Sequence, residues 1–279
     1  MRRSHNLKTI ALFGSVLALS ACAVTGPVDL GMPQNRLDSP EAYGAFGAGR
    51  IHGGLRSTHK VNLTSDYGTK LISNSQPGIE SVSDLGIGLG LGLLSFIDLD
   101  LHDNFGAKGY TQLKVQVLGK NRRESKPGNF SFSLLGAYAS NTIDSEKGSG
   151  FYNIFTGQYS GGTATYGLQS NYAHLGFVTG YKIDENFLGY GGYTKGWTSY
   201  SGSQTLLNGN SGNFFGSIKQ DLYSLGLLIA SNKEPDPKNT ALLKYASPFL
   251  QLELDLSHLV AGSASKTQLN GAINVGMIW

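Results

Sequence analysis

The feature that most restricts this chain is a two-residue alternation whose two faces differ in kind. Leu85, Ile87, Leu89, Leu91 and Leu93 alternate with Gly86, Gly88, Gly90 and Gly92; Leu250, Leu252, Leu254 and Leu256 alternate with Gln251, Glu253, Asp255 and Ser257. Successive side chains of a strand point to opposite sides, so each run is a strand with one apolar face and one small or polar face. Ten segments read this way, at about 43–58, 83–93, 96–103, 109–119, 129–140, 164–182, 187–200, 214–231, 248–258 and 267–279. Their more apolar faces fall on odd positions 43–57, 85–93, 97–101, 113–117, 173–181, 223–229 and 269–279, and on even positions 130–138, 188–192 and 250–256. None of these positions is Asp, Glu, Lys or Arg. Charged residues make up 15% of the chain, so their absence from one face points to surroundings that reject charge. Lipid does so: Arg or Lys at mid-bilayer on a barrel's outer face costs roughly 2–4 kcal/mol, whereas a water-facing sheet accepts charge freely.

The opposite faces carry Arg50, His52 and Arg56, Asp98, Asp100 and His102, Lys114, His174, Lys182, Lys195, Glu253 and Asp255. Period alone does not tell inside from outside, and a soluble sandwich or barrel shows the same alternation. Charged groups are rarely buried in a small dry core, whereas a polar interior is normal for a membrane barrel. No apolar run beyond residue 22 reaches the 18 or so residues that a membrane helix needs. The expected fold is therefore all-β, a closed antiparallel up-and-down transmembrane β-barrel of ten strands, with eight or twelve also compatible. Long connections are expected at 59–82, 141–163, 201–213 and 259–266, on the side away from the chain end. Tyr43, Tyr138, Tyr181, Tyr190, Tyr223 and Trp279 lie where an interfacial aromatic girdle would. The last strand, Leu269, Gly271, Ile273, Val275, Met277 and Trp279, closes on an aromatic. It resembles the C-terminal signature that assembly machinery reads in bacterial outer-membrane barrels, which implies Trp279 as an assembly signal.

The amino terminus reads as an address. Arg2, Arg3 and Lys8 precede an apolar stretch from Ile10 to Leu19 and small residues leading to the single cysteine, Cys22, which is the layout of a secretory signal. Leu19-Ser20-Ala21-Cys22 resembles the bacterial lipobox. That resemblance implies cleavage before Cys22, acylation of its thiol and amine, and sorting to the outer membrane. The expected organisation is a lipoprotein signal peptide over 1–21, lipidated Cys22 and a flexible periplasmic tether over 22–41, and the barrel over 42–279. Outer-membrane lipid and the barrel-assembly and lipoprotein-sorting machineries are the expected partners, and the covalent lipid the only expected cofactor. Arg2, Arg3 and Lys8 account for the whole formal excess of +3. The remaining neutral body offers no electrostatic footprint for nucleic acid.

No H-E-x-x-H, G-x-x-x-x-G-K-[ST] or G-x-S-x-G motif occurs, so metalloprotease, nucleotide and serine-hydrolase chemistry have no support, and no metal is expected. The densest constellation is Asp98, Asp100 and His102, alternate residues facing one way on one strand. Carboxylates beside a histidine could activate water, and in residue type the cluster resembles outer-membrane proteases with acids and histidines at the outer rim. The competing reading pairs these acids with Lys114 and other lumenal bases, since buried charge needs a partner. Arg50, His52, Arg56, Lys114, Glu253 and Asp255 form an expected charge ladder across the lumen and its seam. Gly86, Gly88, Gly90 and Gly92 leave inward space that Phe96, Tyr193, Trp197 or a solute could fill. Phe151, Tyr152, Phe155 and Tyr159 would form an aromatic lid or an adhesive surface in an outer loop. The functional expectation is a structural or small-solute channel role without catalysis; the alternatives are a rim-sited hydrolase using Asp98, Asp100 and His102, and a surface adhesin.

Overall fold

In the computed structural model, which describes residues 29–30, 37–63, 71–72, 77–104, 107–147, 150–153, 158–206, 209–230 and 246–279, almost all regular structure is strand. The strands are β1 (Asp29–Leu30), β2 (Gly49–Asn62), β3 (Gly78–Leu94), β4 (Ile97–Asn104), β5 (Ala107–Leu118), β6 (Phe130–Lys147), β7 (Gly150–Asn153), β8 (Gln158–Lys182), β9 (Phe187–Leu206), β10 (Ser211–Ala230), β11 (Ser247–Ala261) and β12 (Ala264–Ile278). Ten of them form a closed antiparallel barrel; β1 and β7 are short additions paired to β2 and β8. The ring closes because β2 is hydrogen-bonded on both flanks, to β3 over its whole length and to β12 from Arg50↔Ile278 to Arg56↔Ala272. Closure removes the sheet edges that would otherwise leave unpaired backbone groups in lipid.

The apolar faces point outward. Leu85, Ile87, Leu89, Leu91 and Leu93 are 37–47% exposed, while Gly88, Gly90 and Gly92 between them are buried. Leu252, Leu254 and Leu256 are exposed and Gln251, Glu253 and Asp255 buried. This is a soluble barrel turned inside out. Exposed leucine over so wide a belt is stable only against acyl chains.

The structure differs from the sequence expectation at four places. The first wall strand begins at Gly49, not 43, because Gly44 and Gly47 adopt φ of 111° and 80°, a left-handed backbone that turns the chain at the wall's edge. Tyr43 is consequently inside the barrel and no girdle residue. On β9 the even residues Leu188 and Tyr190 face inward, and the lipid face is Phe187, Gly189, Gly191 and Tyr193. Leu188 packs with Leu37, Leu228 and Ile278 in the lumen, which overrides its apolarity as a marker of the lipid face. By the same phase Lys195 points outward, 3.9 Å from Asp221. Phe96 and Trp197, offered as lumen fillers, are instead exposed, and Tyr193 faces outward as well. Finally, the expected long connections fold largely into ladder: β6 runs to Lys147, β9 to Leu206, and β11 and β12 are joined across only Gly262 and Ser263. Their Ser, Thr and Tyr residues alternate and pair across strands, as in Thr165↔Thr205. The β6, β8, β9 and β10 ends thus project beyond the leucine belt at the end of the barrel remote from Trp279.

At the Trp279 end, the Trp279 backbone exchanges hydrogen bonds with Gly49 at 2.9 and 3.0 Å, and its ring Nε1 donates to Gly47 O at 3.0 Å. Replacing the indole by Trp279→Phe keeps the backbone pair and loses the ring bond. A loss of about 0.5–1.5 kcal/mol is expected, read as a lower temperature for the heat-modified migration shift of detergent-extracted protein. An unchanged shift would mean that the ring does not hold the turn at residues 44–48.

Candidate functional site

A barrel whose inward face carries Arg50, Asp98, Asp100 and Lys114 must neutralise them. It does so with its own amino-terminal segment. Residues 37–43 are buried throughout, inside the wall near the Trp279 end. Residues 37–41, expected at the end of a periplasmic tether, occupy the lumen because the wall supplies polar partners that solvent would otherwise provide.

Asp98 and Lys114 lie opposite one another on β4 and β5, and Lys114 Nζ reaches Asp98 Oδ2 at 3.0 Å. The same ammonium donates to Ser39 O at 3.1 Å and Glu41 O at 3.0 Å, which consumes its three protons. Asp98 in turn accepts from the Tyr43 backbone N–H at 3.1–3.2 Å. The Tyr43 hydroxyl donates to Asp100 Oδ1 at 2.5 Å. Arg50 pairs with Asp38 and lies 3.6 Å from Asp100 Oδ1. Gln116 accepts from Ala42 N at 2.8 Å, and Ser133 Oγ donates to Pro40 O at 2.5 Å. Glu41 accepts from Ser125 and Asn129 and lies 4.0 Å from Lys182. In the turn between β5 and β6, Arg122 N donates to Ala42 O at 2.9 Å. Desolvation of the half-buried Arg122 guanidinium lowers its pKa, which Glu41 opposes.

The glycine stripe of β3 makes room for this segment. A Cβ on Gly90 would lie 2.2 Å from Asp100 Oδ1 and 2.3 Å from the Tyr43 hydroxyl, and one on Gly92 would lie 2.5 Å from Ala45 O. Gly180 on β8 does the same for Pro40, whose Cγ a Cβ there would meet at 2.7 Å. Gly88 accommodates the His52 ring. The lumen filler is therefore the chain's own residues 38–45, set in a trough of glycines.

Farther from Trp279, Arg56 pairs with Asp255 at 2.5 Å, and Asp255 also accepts from Ser224. Glu253 accepts from Tyr190 at 2.8 Å and Gln251 at 2.6 Å. The expected ladder is thus two clusters: Arg56 meets the β11 acids, while Arg50 turns to Asp38 and Asp100. His174 is bridged by Tyr172 at 2.7 Å and Gln112 at 3.2 Å. Beyond it, β2 bends inward: His59 bonds Ser257 at 2.6 Å, and Leu30, Val61, Leu63 and Ile72 pack against Leu168, Phe214, Ile218 and Leu259. A second cluster, with Leu37, Leu135, Val178 and Phe249, fills the Trp279 end.

Asp98, Asp100 and His102 are brought together but not at a rim. The two carboxylates are fully buried, and His102 lies 3.6 Å from Asp38 and stacks on Tyr110. A general base has to reach the proton that it removes; here the segment covers the carboxylates, so these residues hold the plug. Asp38, Asp100 and His102 could each offer a ligand atom within 4.8 Å of the others, yet Arg50 already supplies positive charge to both acids. Asp38 was missed as a site residue because its segment lacks alternation, and Tyr43 because the alternation reads it as the first, outward residue of the strand 43–58; the signal that could have found them is the trough of four successive inward glycines. Cys22 and Phe155 lie outside the described residues, as do the side chains of Phe151, Tyr152 and Tyr159.

Fold and site together define a transmembrane β-barrel occupied by its own amino-terminal segment. No protein-family model matches the chain, and no curated protein sequence matches it. Among solved structures it is similar to Ail, the attachment invasion locus protein of Yersinia pestis, with 12% identity and a TM-score of 0.31 over 84% of this chain and 97% of that one. The same protein in complex with the heparin analogue sucrose octasulfate gives 10%, 0.29, 84% and 97%. The outer membrane protease OmpT of Escherichia coli gives 10%, 0.31, 84% and 92%. The fold described above rests on the strand ladder itself.

Proposed function

We propose that this chain is a bacterial outer-membrane barrel, lipid-anchored through Cys22 and closed by its own plug, with a structural and surface-presenting role and no catalysis. One observation carries the reading: the buried, charge-paired segment 37–43 across the lumen. A channel for solutes requires a continuous polar path, and apolar clusters fill the lumen at both ends. The Trp279 end faces the periplasm, in keeping with the terminal strand's likeness to an assembly signal. The projecting ends of β6 and β8 to β10, with Phe215 on β10 87% exposed, then stand above the cell surface. They favour adhesion as the second reading, through a sheet edge-on to the exterior.

The test is a planar bilayer into which purified protein is inserted. Silence is the expected result, and steady ion-selective steps would overturn the closed barrel. In cells, palmitate labelling that disappears in Cys22→Ala, in protein fractionating with the outer membrane, is expected; label retained in that variant would place the lipid elsewhere.

A further inference from the structure

The outward face of β8 to β12 changes character within two rows of residues. Strand register sets Phe177, Tyr193, Tyr223, Leu256 and Leu269 side by side, with ring centroids 6.3 Å apart for Phe177 and Tyr193 and 4.9 Å apart for Tyr193 and Tyr223. One outward step farther from Trp279, the same register lines up Leu175, Lys195, Asp221, His258 and Thr267, and the next step sets Trp197 beside Lys219. Apolar side chains thus give way to charge directly above an aromatic row, which is where a membrane barrel meets the lipid headgroups. Below that line the wall is hollowed. Gly191 lies between Thr179 on β8 and Leu225 on β10, and its missing side chain opens an outward groove of about 800 Å³ among Phe177, Tyr193, Tyr223, Leu225 and Leu254. That volume is in the range of a small-ligand site. A Cβ on Gly191 would lie 2.9 Å from Leu225 Cδ2 and 3.1 Å from Ser224 O.

Two cations stand at the groove's upper end. Lys195 and Lys219 are both exposed on the outward face. Lys195 is registered to Asp221, two residues from Lys219; diagonal neighbours of this kind lie about 7–8 Å apart, from which two ammonium groups can close on one phosphate. Asp221 lies 3.9 Å from Lys195 and accepts the Tyr193 hydroxyl, which holds the Tyr193 ring as a wall of the groove. Two lysines against one carboxylate leave the site positive. We infer that this face binds one anionic, phosphate-bearing lipid of the surrounding leaflet, its headgroup between Lys195 and Lys219 and an acyl chain in the groove over Gly191. Charge selects the occupant. A zwitterionic lipid could fill the groove but would bring its own cation to the two lysines, and an isologous contact with a second copy would bring two further lysines to the same place. Such binding requires only that the wall lie in a bilayer, whichever leaflet surrounds that end.

Native mass spectrometry of the full-length protein in neutral detergent, with lipid adducts counted, tests the site. The probes are phosphatidylglycerol and phosphatidylcholine with identical acyl chains. Wild type should hold one phosphatidylglycerol in preference to phosphatidylcholine. Lys195→Gln and Lys219→Gln should each weaken that adduct about fivefold, the size of one basic contact at an anionic surface, and leave phosphatidylcholine unaffected. Gly191→Val, whose side chain enters the groove, should weaken both lipids. Lys120→Gln combined with Lys126→Gln, in the exposed turn between β5 and β6, should change nothing. Every variant is compared as its folded, fast-migrating form. Equal adducts of the two lipids, or an equal loss in the Lys120/Lys126 variant, would overturn the selection by charge. An adduct that survives Gly191→Val, or that inorganic phosphate displaces, would overturn the seating of an acyl chain. A dimer that Gly191→Val dissolves would replace the lipid by a second copy and overturn the inference.

Discussion

Gly90→Val dislodges the plug. The added Cβ would meet Asp100 Oδ1 at 2.2 Å and the Tyr43 hydroxyl at 2.3 Å; the wall cannot retreat, because Gly90 is registered to Arg50 on one side and Asp100 on the other. Overpacking of this kind costs about 1–3 kcal/mol, and the group free to move is the segment carrying Tyr43. Ser39 reports the outcome: it is 8% exposed, with its carbonyl held by Lys114. In a Cys22→Ala background, a Ser39→Cys thiol should react slowly with a water-soluble maleimide. Adding Gly90→Val should raise the labelling rate by about tenfold or more, since each 1.4 kcal/mol against the closed state is a factor of ten in its opening. Gly53→Val is the control, because a Cβ there meets nothing nearer than 3.7 Å. Tyr43→Ala, which loosens the plug without touching the wall, should raise the rate as well. Equal labelling in all four proteins would mean that residues 37–43 are not packed in the trough.

Lys114→Met should have the largest effect on stability. Its ammonium joins Asp98 on the wall to the Ser39 and Glu41 carbonyls on the plug, and the residue is 1% exposed. Methionine keeps the apolar stem but leaves a buried carboxylate without its cation, a change that typically costs about 3–5 kcal/mol. The expected result is a marked drop in the temperature at which the folded, fast-migrating form is lost, or failure to reach that form. Asp98→Asn combined with Lys114→Met removes the stranded charge and should recover much of the loss. If Lys114→Met matches wild type, the ammonium is not the clamp between wall and plug.

The wall was legible because lipid imposes a rule on every second residue. Leu85 to Leu93, Leu250 to Leu256 and Leu269 to Val275 all declare their outward phase, and each run lies inside one described strand, which extends beyond it. Where a strand carries apolar side chains on both faces the rule loses its sign. On β9, Leu188 and Tyr190 are as apolar as Phe187 and Tyr193, and only the packing of Leu188 under Leu37 decides which pair faces the lumen. The plug obeys no periodic rule. Asp38 and Glu41 read as tether residues and Tyr43 as the outward start of a strand, and their partners, Arg50, Lys114 and Lys182, are fixed by a chain path that local sequence does not encode. Charge did give a partial indication. Lys114 facing Asp98 follows from alternation on adjacent strands, whereas Arg50 facing Asp38 depends on the segment's passage through the ring.

Because β2 is both the covalent continuation of the plug and the strand that zips the ring shut on two flanks, the molecule is a hoop with its stopper tied to it. Retention is then geometric as well as energetic. Mutating the lumenal pairs loosens the stopper, but the covalent join at β2 keeps it at the mouth of the ring. Biogenesis is constrained in the same way, since the ring has to close around a segment that its own first wall strand carries in.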